Sequence, residues 1–212
     1  MILNFMPVGA FQMNSYLVGC KKTGKAAIID AGDQVQDLLG MAKQDNVSIT
    51  KILQTHGHVD HVGAIKGVKI QTGALVYLHK NELPIYNSSP SHALMFGISG
   101  LEVPPPDNFV EEGHEVTIGE LKAKVIETPG HTPGGVVYHF EEQGIVFVGD
   151  TLFAGSIGRT DLPGGHYPTL LKSLKKLISL PDETVVYSGH GPKTTIGKER
   201  QTNPFLQDFR DC

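Results

Sequence analysis

The segment Thr55-His56-Gly57-His58-Val59-Asp60-His61 places three imidazoles and a carboxylate within six residues. Ordinary protein cores do not carry that density of metal-ligand types. The segment follows an apolar run over 51–55 that reads as a β-strand. Side chains alternate along an extended chain, so His56 and His58 face the same way and can reach one ion. Asp60 and His61 come just past them, at an expected helix start, and diverge toward a second position. Gly57 leaves the backbone room to turn without crowding the ions.

Three later positions share one context, a strand followed by a ligand type set among glycines. They are Thr128-Pro-Gly-His131-Thr-Pro-Gly134, Val148-Gly-Asp150-Thr151 and Ser188-Gly-His190-Gly191. Loops at strand ends, held by a rigid scaffold, commonly carry active-site groups. Each loop alone is a weak signal; with the first motif they supply seven N and O ligands, enough for two ions. A set without thiolate suits Zn, Fe or Mn. His79, His92, His114, His139 and His166 have no such setting and read as ordinary surface or core residues. Cys20 reads as an inert, small apolar residue.

The elements that must position these ligands alternate along the chain. Short β-like runs occupy 2–5, 16–18, 26–30, 51–55 and 75–79, and later 116–118, 121–127, 136–140, 145–148 and 184–187. A helix is expected over 34–45, with Val35, Leu38, Leu39 and Ala42 at helical spacing. A second is expected over 167–180, on the face of Leu170, Leu171, Leu174, Leu177 and Ile178, stopped by Pro181. Residues 84–108, broken by Pro84, Pro90, Ser88-Ser89 and Pro104-Pro105-Pro106, read as a long connection, either a lid or a loop packed on the core. Strand-rich halves with helices between them predict two packed sheets covered outside by helices, in one domain over 1–212.

Composition narrows the function. The 212 residues carry a net charge of −4, so no basic surplus exists to release counterions from nucleic acid. No apolar run approaches the roughly 20 residues of a membrane span. The first residues lack the basic and apolar regions of a secretory leader. Cys20 and Cys212 are too few for a disulfide framework, which fits a cytoplasmic protein.

HGHVDH, PGHTPG, VGD and SGHG in this order resemble the metallo-β-lactamase superfamily and, within it, the glyoxalase II (hydroxyacylglutathione hydrolase) branch. Ala154-Gly-Ser-Ile-Gly-Arg-Thr-Asp-Leu-Pro-Gly-Gly165 and Asn203-Pro204-Phe205-Leu206 resemble its short, single-domain bacterial form. The resemblance implies an α/β fold, the αββα sandwich of two mixed β-sheets flanked by helices, with metals at one sheet edge. It implies His56, His58 and His131 on a first divalent ion and Asp60, His61 and His190 on a second. Asp150 would bridge them. Zn is the first expectation, with Fe and Mn as alternatives.

Two such cations, about 3.5–4 Å apart, lower the pKa of a shared water toward roughly 7 and supply hydroxide as nucleophile. Asp60 and Asp150 are then the catalytic carboxylates, with Asp60 also a proton acceptor. The implied reaction is hydrolysis of S-D-lactoylglutathione to D-lactate and glutathione, a small-molecule thioester substrate, by a monomer or small homo-oligomer with no nucleic-acid or membrane partner. Longer members hold glutathione partly through a C-terminal helical domain, whereas 22 residues follow His190 here. Arg159 falls where longer members carry a cation for the glutathione carboxylate, a task for a bidentate guanidinium. Its alternative is a local ion pair with Asp161. His166, Tyr167 and the 84–108 segment are candidate pocket walls. The rival reading is a persulfide dioxygenase, which resembles the same framework with a single iron on His, His and Asp.

Overall fold

Runs rich in Val, Ile and Leu pair into two sheets, and the chain fills the first before starting the second. In the computed structural model, which describes residues 1–209, β1 (Ile2–Val8), β2 (Met13–Gly19), β3 (Lys25–Ile29), β4 (Ser48–Leu53), β5 (Leu75–His79) and β6 (Asn108–Val110) lie side by side in chain order. The first three form an antiparallel meander, and β3 to β6 run parallel. Parallel neighbours need crossovers. These carry α1 (Val35–Gln44), α2 (Val59–Val62), α3 (Ile65–Thr72) and α4 (Leu83–Met95).

The second sheet contains β7 (Glu115–Ile118), β8 (Leu121–Glu127), β9 (Val136–Phe140) and β10 (Ile145–Gly149), joined antiparallel. A two-stranded hairpin, β11 (Leu152–Phe153) with β12 (Ser156–Ile157), leads to α5 (Tyr167–Leu177). The chain then adds β13 (Val185–Ser188) parallel to β10, β14 (Thr194–Thr195) at the edge, and α6 (Ile196–Thr202).

Alternation of side chains explains the layering. Ala26 and Ile28 of β3 pack with Leu38, Ile65 and Val68 of α1 and α3, while Ala27 and Ile29 face the other sheet. In the second sheet Tyr138, Phe140 and Phe147 join that inter-sheet core, while Val137, Val146 and Val148 pack on Leu170, Leu174 and Leu177 of α5. Both faces of the central strands are therefore buried, giving the expected αββα sandwich with mixed sheets flanked by helices. No helix among the described residues is long and apolar enough to cross a membrane.

The main departure from the sequence expectation is residues 84–95, which form α4 rather than part of a long connection. Pro84 sits in the first turn, where its missing N–H costs nothing. Pro90 lies inside the helix and leaves the Tyr86 carbonyl without its usual donor. The Ser89 hydroxyl donates to that carbonyl at 2.8 Å, and Ser88 donates to the Ile85 carbonyl at 2.9 Å. The serines read as loop formers thus repair the helix. β4 ends at Leu53, two residues short of Thr55, and α5 ends at Leu177 before a turn. Cys20 is a buried free thiol, and Cys212 lies outside the described residues.

Phe147 is fully buried between the sheets, within ring contact of Phe140, Tyr16 and Tyr187. Phe147→Ala is expected to cost about 3–5 kcal/mol. Leu94→Ala, at a side chain 64% exposed, should change stability by less than about 0.5 kcal/mol. Urea unfolding of both variants checks the layering.

Candidate metal centre

Strand ends of both sheets meet at one edge, and the candidate ligands sit there. The His56–His61 segment follows β4, with Asp60 and His61 in α2 as expected. His131, Asp150 and His190 follow β8, β10 and β13. Backbone and side-chain bonds sew these loops together across the sheets. The Asn14 side-chain amide on β2 donates to the Ser188 and Gly191 carbonyls, and the Tyr16 hydroxyl donates to Ser188. The Gly189 N–H donates to the Gly149 carbonyl, and the Val136 N–H to that of Thr55.

The seven side chains converge. Donor atoms of His56, His58 and His131 all lie within 4.8 Å of one another, as do those of Asp60, His61 and His190. Asp150 lies between the two groups, with Oδ1 3.4 Å from His61 Nε2 and Oδ2 3.6 Å and 3.8 Å from Nε2 of His190 and His131. Glycine at 189 is required there. A Cβ would stand 2.2 Å from Asp150 Oδ1 and 2.8 Å from the His61 ring.

The other ring nitrogens show which atom each histidine offers. Asp30 Oδ2 lies 3.0 Å from His61 Nδ1, the Thr55 hydroxyl 3.0 Å from His56 Nδ1, and the Arg159 carbonyl 2.8 Å from His131 Nδ1. The Thr55 hydroxyl itself donates to Asp30, so it accepts from His56. With Nδ1–H committed in this way, Nε2 is the atom each of the three rings can offer to a cation, in His61 only after it gives up the proton that Asp150, Asp60 and Asp30 favour. Buried atoms without a hydrogen-bond partner include His56 Nε2, His61 Nε2 and Asp150 Oδ1. Orphaned buried acceptors are costly unless a ligand satisfies them. These atoms, all N or O and facing one another, fit divalent cations.

Two buried carboxylates were not visible as site residues in the sequence. Asp30, at the end of β3, takes Thr55 N–H, Thr55 O–H and His61. Glu82 accepts from the Gly57 N–H at 2.9 Å and the Gly134 N–H at 2.7 Å, clamping the His56–His58 loop to the His131 loop. Burial raises the Glu82 pKa, and these N–H donors work against that rise. Gly57 also has a different purpose from the one expected. Its Cβ would stand 2.8 Å from the backbone nitrogen of Tyr86, so glycine admits α4, which carries no ligand.

Charge divides the two groups. Burial, reinforced by the neighbouring imidazoles, holds His56 well below the usual histidine value, and burial with His131 and His61 pushes His58 down to about 4. Burial disfavours charge on His61 too, but Asp150, Asp60 and Asp30 outweigh it and raise its pKa. His190 likewise overcomes burial through its 3.1 Å contact with Asp60 and the field of Asp150. Asp60 and Asp150 are both held below the usual carboxylate range, against burial, chiefly by His61.

Arg159 is exposed, and its Nε and Nη2 donate to Asp161 at 2.7 and 2.6 Å, the local ion pair. Its side chain also lines a cavity of about 680 Å³ that opens over His58, Asp60, His131, Asp150 and His190. Ile85, His92, Met95 and Phe96 contribute walls from the 84–108 segment, whereas His166 and Tyr167 are not among the lining residues described.

Known proteins share this frame. Residues 8–190 match the model of the metallo-β-lactamase superfamily. The chain belongs to that superfamily. Its fold binds divalent metals, and the matched span takes in the whole His/Asp cluster above, ending at His190. A Haemophilus influenzae protein named hydroxyacylglutathione hydrolase GloC is 37% identical over 97% of this chain and 98% of its own length. A crystal structure of TTHA1623 in a di-iron-bound form is 41% identical, covers 96% of this chain and all of that one, and superposes with a TM-score of 0.89. The BLEG-1 B3 metallo-β-lactamase is 37% identical over 97% of this chain and all of that one, at 0.90.

Two measurements test the centre. Ligands must be deprotonated to bind a cation, and binding releases their protons. His56 and His58, with lowered pKa values, have little proton to release near neutral pH, whereas His61 and His190, with raised ones, have more. Cation binding to Asp60, His61 and His190 should therefore weaken more steeply as pH falls from 8 to 6. Calorimetry in buffers of different ionisation enthalpy should count more protons released by His58→Ala, which keeps this group, than by His190→Ala; equal release contradicts the charge division. Glu82→Gln, which weakens the clamp while keeping the side chain's size, should lower metal affinity about 10- to 100-fold by competitive chelation.

Proposed function

We propose that this superfamily member is a dinuclear metal-dependent thioester hydrolase that cleaves S-D-lactoylglutathione or a thioester of the same thiol. The observation that carries the reading is the convergence of seven N and O donors, five of whose residues line an open cavity. Structural metal sites close around the ion, whereas catalytic sites keep a face open to substrate. His56, His58 and His131 would hold one ion, most suitably Zn, and Asp60, His61 and His190 the other, with the Asp150 carboxylate shared between the two groups. When bound, two such ions polarise a carbonyl and make water a hydroxide donor near neutral pH.

The chain's own groups supply orientation and proton handling. Asp30, Thr55 and the Arg159 carbonyl fix the rings of His61, His56 and His131, which therefore need no reordering during reaction. In the balanced reaction, the water oxygen joins the acyl carbon and the carbon–sulfur bond breaks. The sulfur leaves and is protonated, and the new acid ionises to carboxylate. A thiol ionises near pH 8.5, so its thiolate leaves without a strong acid. Asp60, which lines the cavity, is placed to take the proton of the attacking water and pass it on. The Arg159–Asp161 pair is exposed, and exposed pairs exchange at little cost. Arg159 can therefore turn to a glutathione carboxylate at the cavity mouth.

The name borne by the 37% identical relative supports glutathione as the thiol. The test is steady-state hydrolysis of S-D-lactoylglutathione by the zinc-loaded chain. Turnover is expected, falling at least about 100-fold in Asp150→Ala; a variant with full activity overturns the assignment.

A further inference from the structure

The cavity above the metal centre has a chemical character that the donor set does not explain. One wall consists of Phe11, from the turn after β1, with Ile85, Met95 and Phe96 from α4 and its C-terminal end. Phe153, whose ring lies 6.3 Å from that of His190, and Leu162 add further apolar lining. Met95 is 81% and Phe96 59% exposed, so this wall stays wet in the free protein. Contiguous exposed apolar side chains beside a catalytic centre mark a surface that a ligand covers. The wall is held in place. Phe11 and Phe96 meet edge to face with ring centres 5.1 Å apart, and the Tyr86 hydroxyl donates to the Pro104 carbonyl at 2.7 Å, tying the segment after α4 back to the helix.

Charge is confined to the floor and the mouth. Apart from the carboxylates Asp60 and Asp150 and the ligand histidines, the charged or titratable groups among the described lining residues are Arg159 and His92. Arg159 is already engaged by Asp161 in the solvent. A charged arm thus finds its cationic partner in Arg159, and beyond His92 and Ser156 the walls offer little to a hydroxyl or a carboxylate. A three-carbon lactoyl group would also leave much of a 680 Å³ cavity unfilled.

We infer that the preferred substrate carries a bulky apolar acyl group, aryl or branched, which packs against Phe11, Met95, Phe96 and Phe153. The charged thiol arm leaves past Arg159. This acyl preference rests on the thioester reading for its chemistry, but the apolar subsite can be tested without turnover.

The zinc-loaded protein is titrated calorimetrically with S-benzylglutathione and S-methylglutathione, thioethers that cannot be hydrolysed. In parallel, kcat/KM is measured for S-phenylacetylglutathione and S-D-lactoylglutathione. An apolar group matched to its pocket gains about 10-fold or more over a smaller one. The benzyl compound should therefore bind at least about 10-fold more tightly than the methyl one, and the phenylacetyl thioester should lead in kcat/KM by a similar factor. Both advantages should collapse in Met95→Ala/Phe96→Ala, whose exposed side chains are not needed for folding. Equal affinities, no binding of either thioether, or an advantage that survives the double variant overturns the subsite. Benzyl selectivity without hydrolysis of any thioester upholds the subsite and overturns the thioesterase reading. Hydrolysis that favours the lactoyl compound upholds thioesterase activity and overturns the acyl preference.

Discussion

A buried carboxylate at the end of β3 organises the rest. Asp30 is 2% exposed, and a charge so far from water persists only when fully partnered. Its donors are the backbone and hydroxyl of Thr55 and the ring of His61. Those bonds fix the loop after β4, and through the Thr55 hydroxyl they also set the ring of His56. Asp30 itself has φ of +55°, a left-handed conformation that costs a non-glycine residue about 1–3 kcal/mol and tends to mark functional sites. The fold accepts this because the carboxylate then points under the ligands instead of along the strand.

Everything else extends the same logic outward. The central strands of each sheet have both faces buried, so neither sheet can tilt without opening a core, and the strand ends at the metal edge inherit that rigidity. Bonds from Asn14 and Tyr16 carry the constraint from the first sheet into the His190 loop, and Glu82 carries it into the His131 loop. Candidate ligands from four separate loops are therefore placed by main-chain and carboxylate contacts. α4, far from being a slack connection, presses on Gly57 beneath and presents an apolar wall above. One helix thus bears on both the metal loop and the cavity.

The donors were legible in the sequence because their chemistry is local: four of the seven lie in one six-residue stretch, and the others share a strand-then-glycine context. The layer order was legible because two-residue alternation survives in β3, β9 and β10. Asp30 and Glu82 were not, since each acts on a partner 25 or more positions away, largely on backbone N–H groups that no residue type advertises. α4 was hidden by Pro90 and the Ser88-Ser89 pair, whose hydroxyl bonds to main-chain carbonyls reverse their usual meaning. α3 was hidden by brevity, with Ile65 and Val68 as its buried side chains. Arg159 was identified for its guanidinium, yet its carbonyl proves to orient His131.

Metal stoichiometry tests the central claim most directly. Two sets of candidate donors around a shared Asp150 predict two ions per chain. Elemental analysis of the zinc-reconstituted chain after removal of loose metal should give two zinc ions per chain, falling to one or none in Asp150→Ala. A single ion per chain, or two that persist without Asp150, would contradict the account.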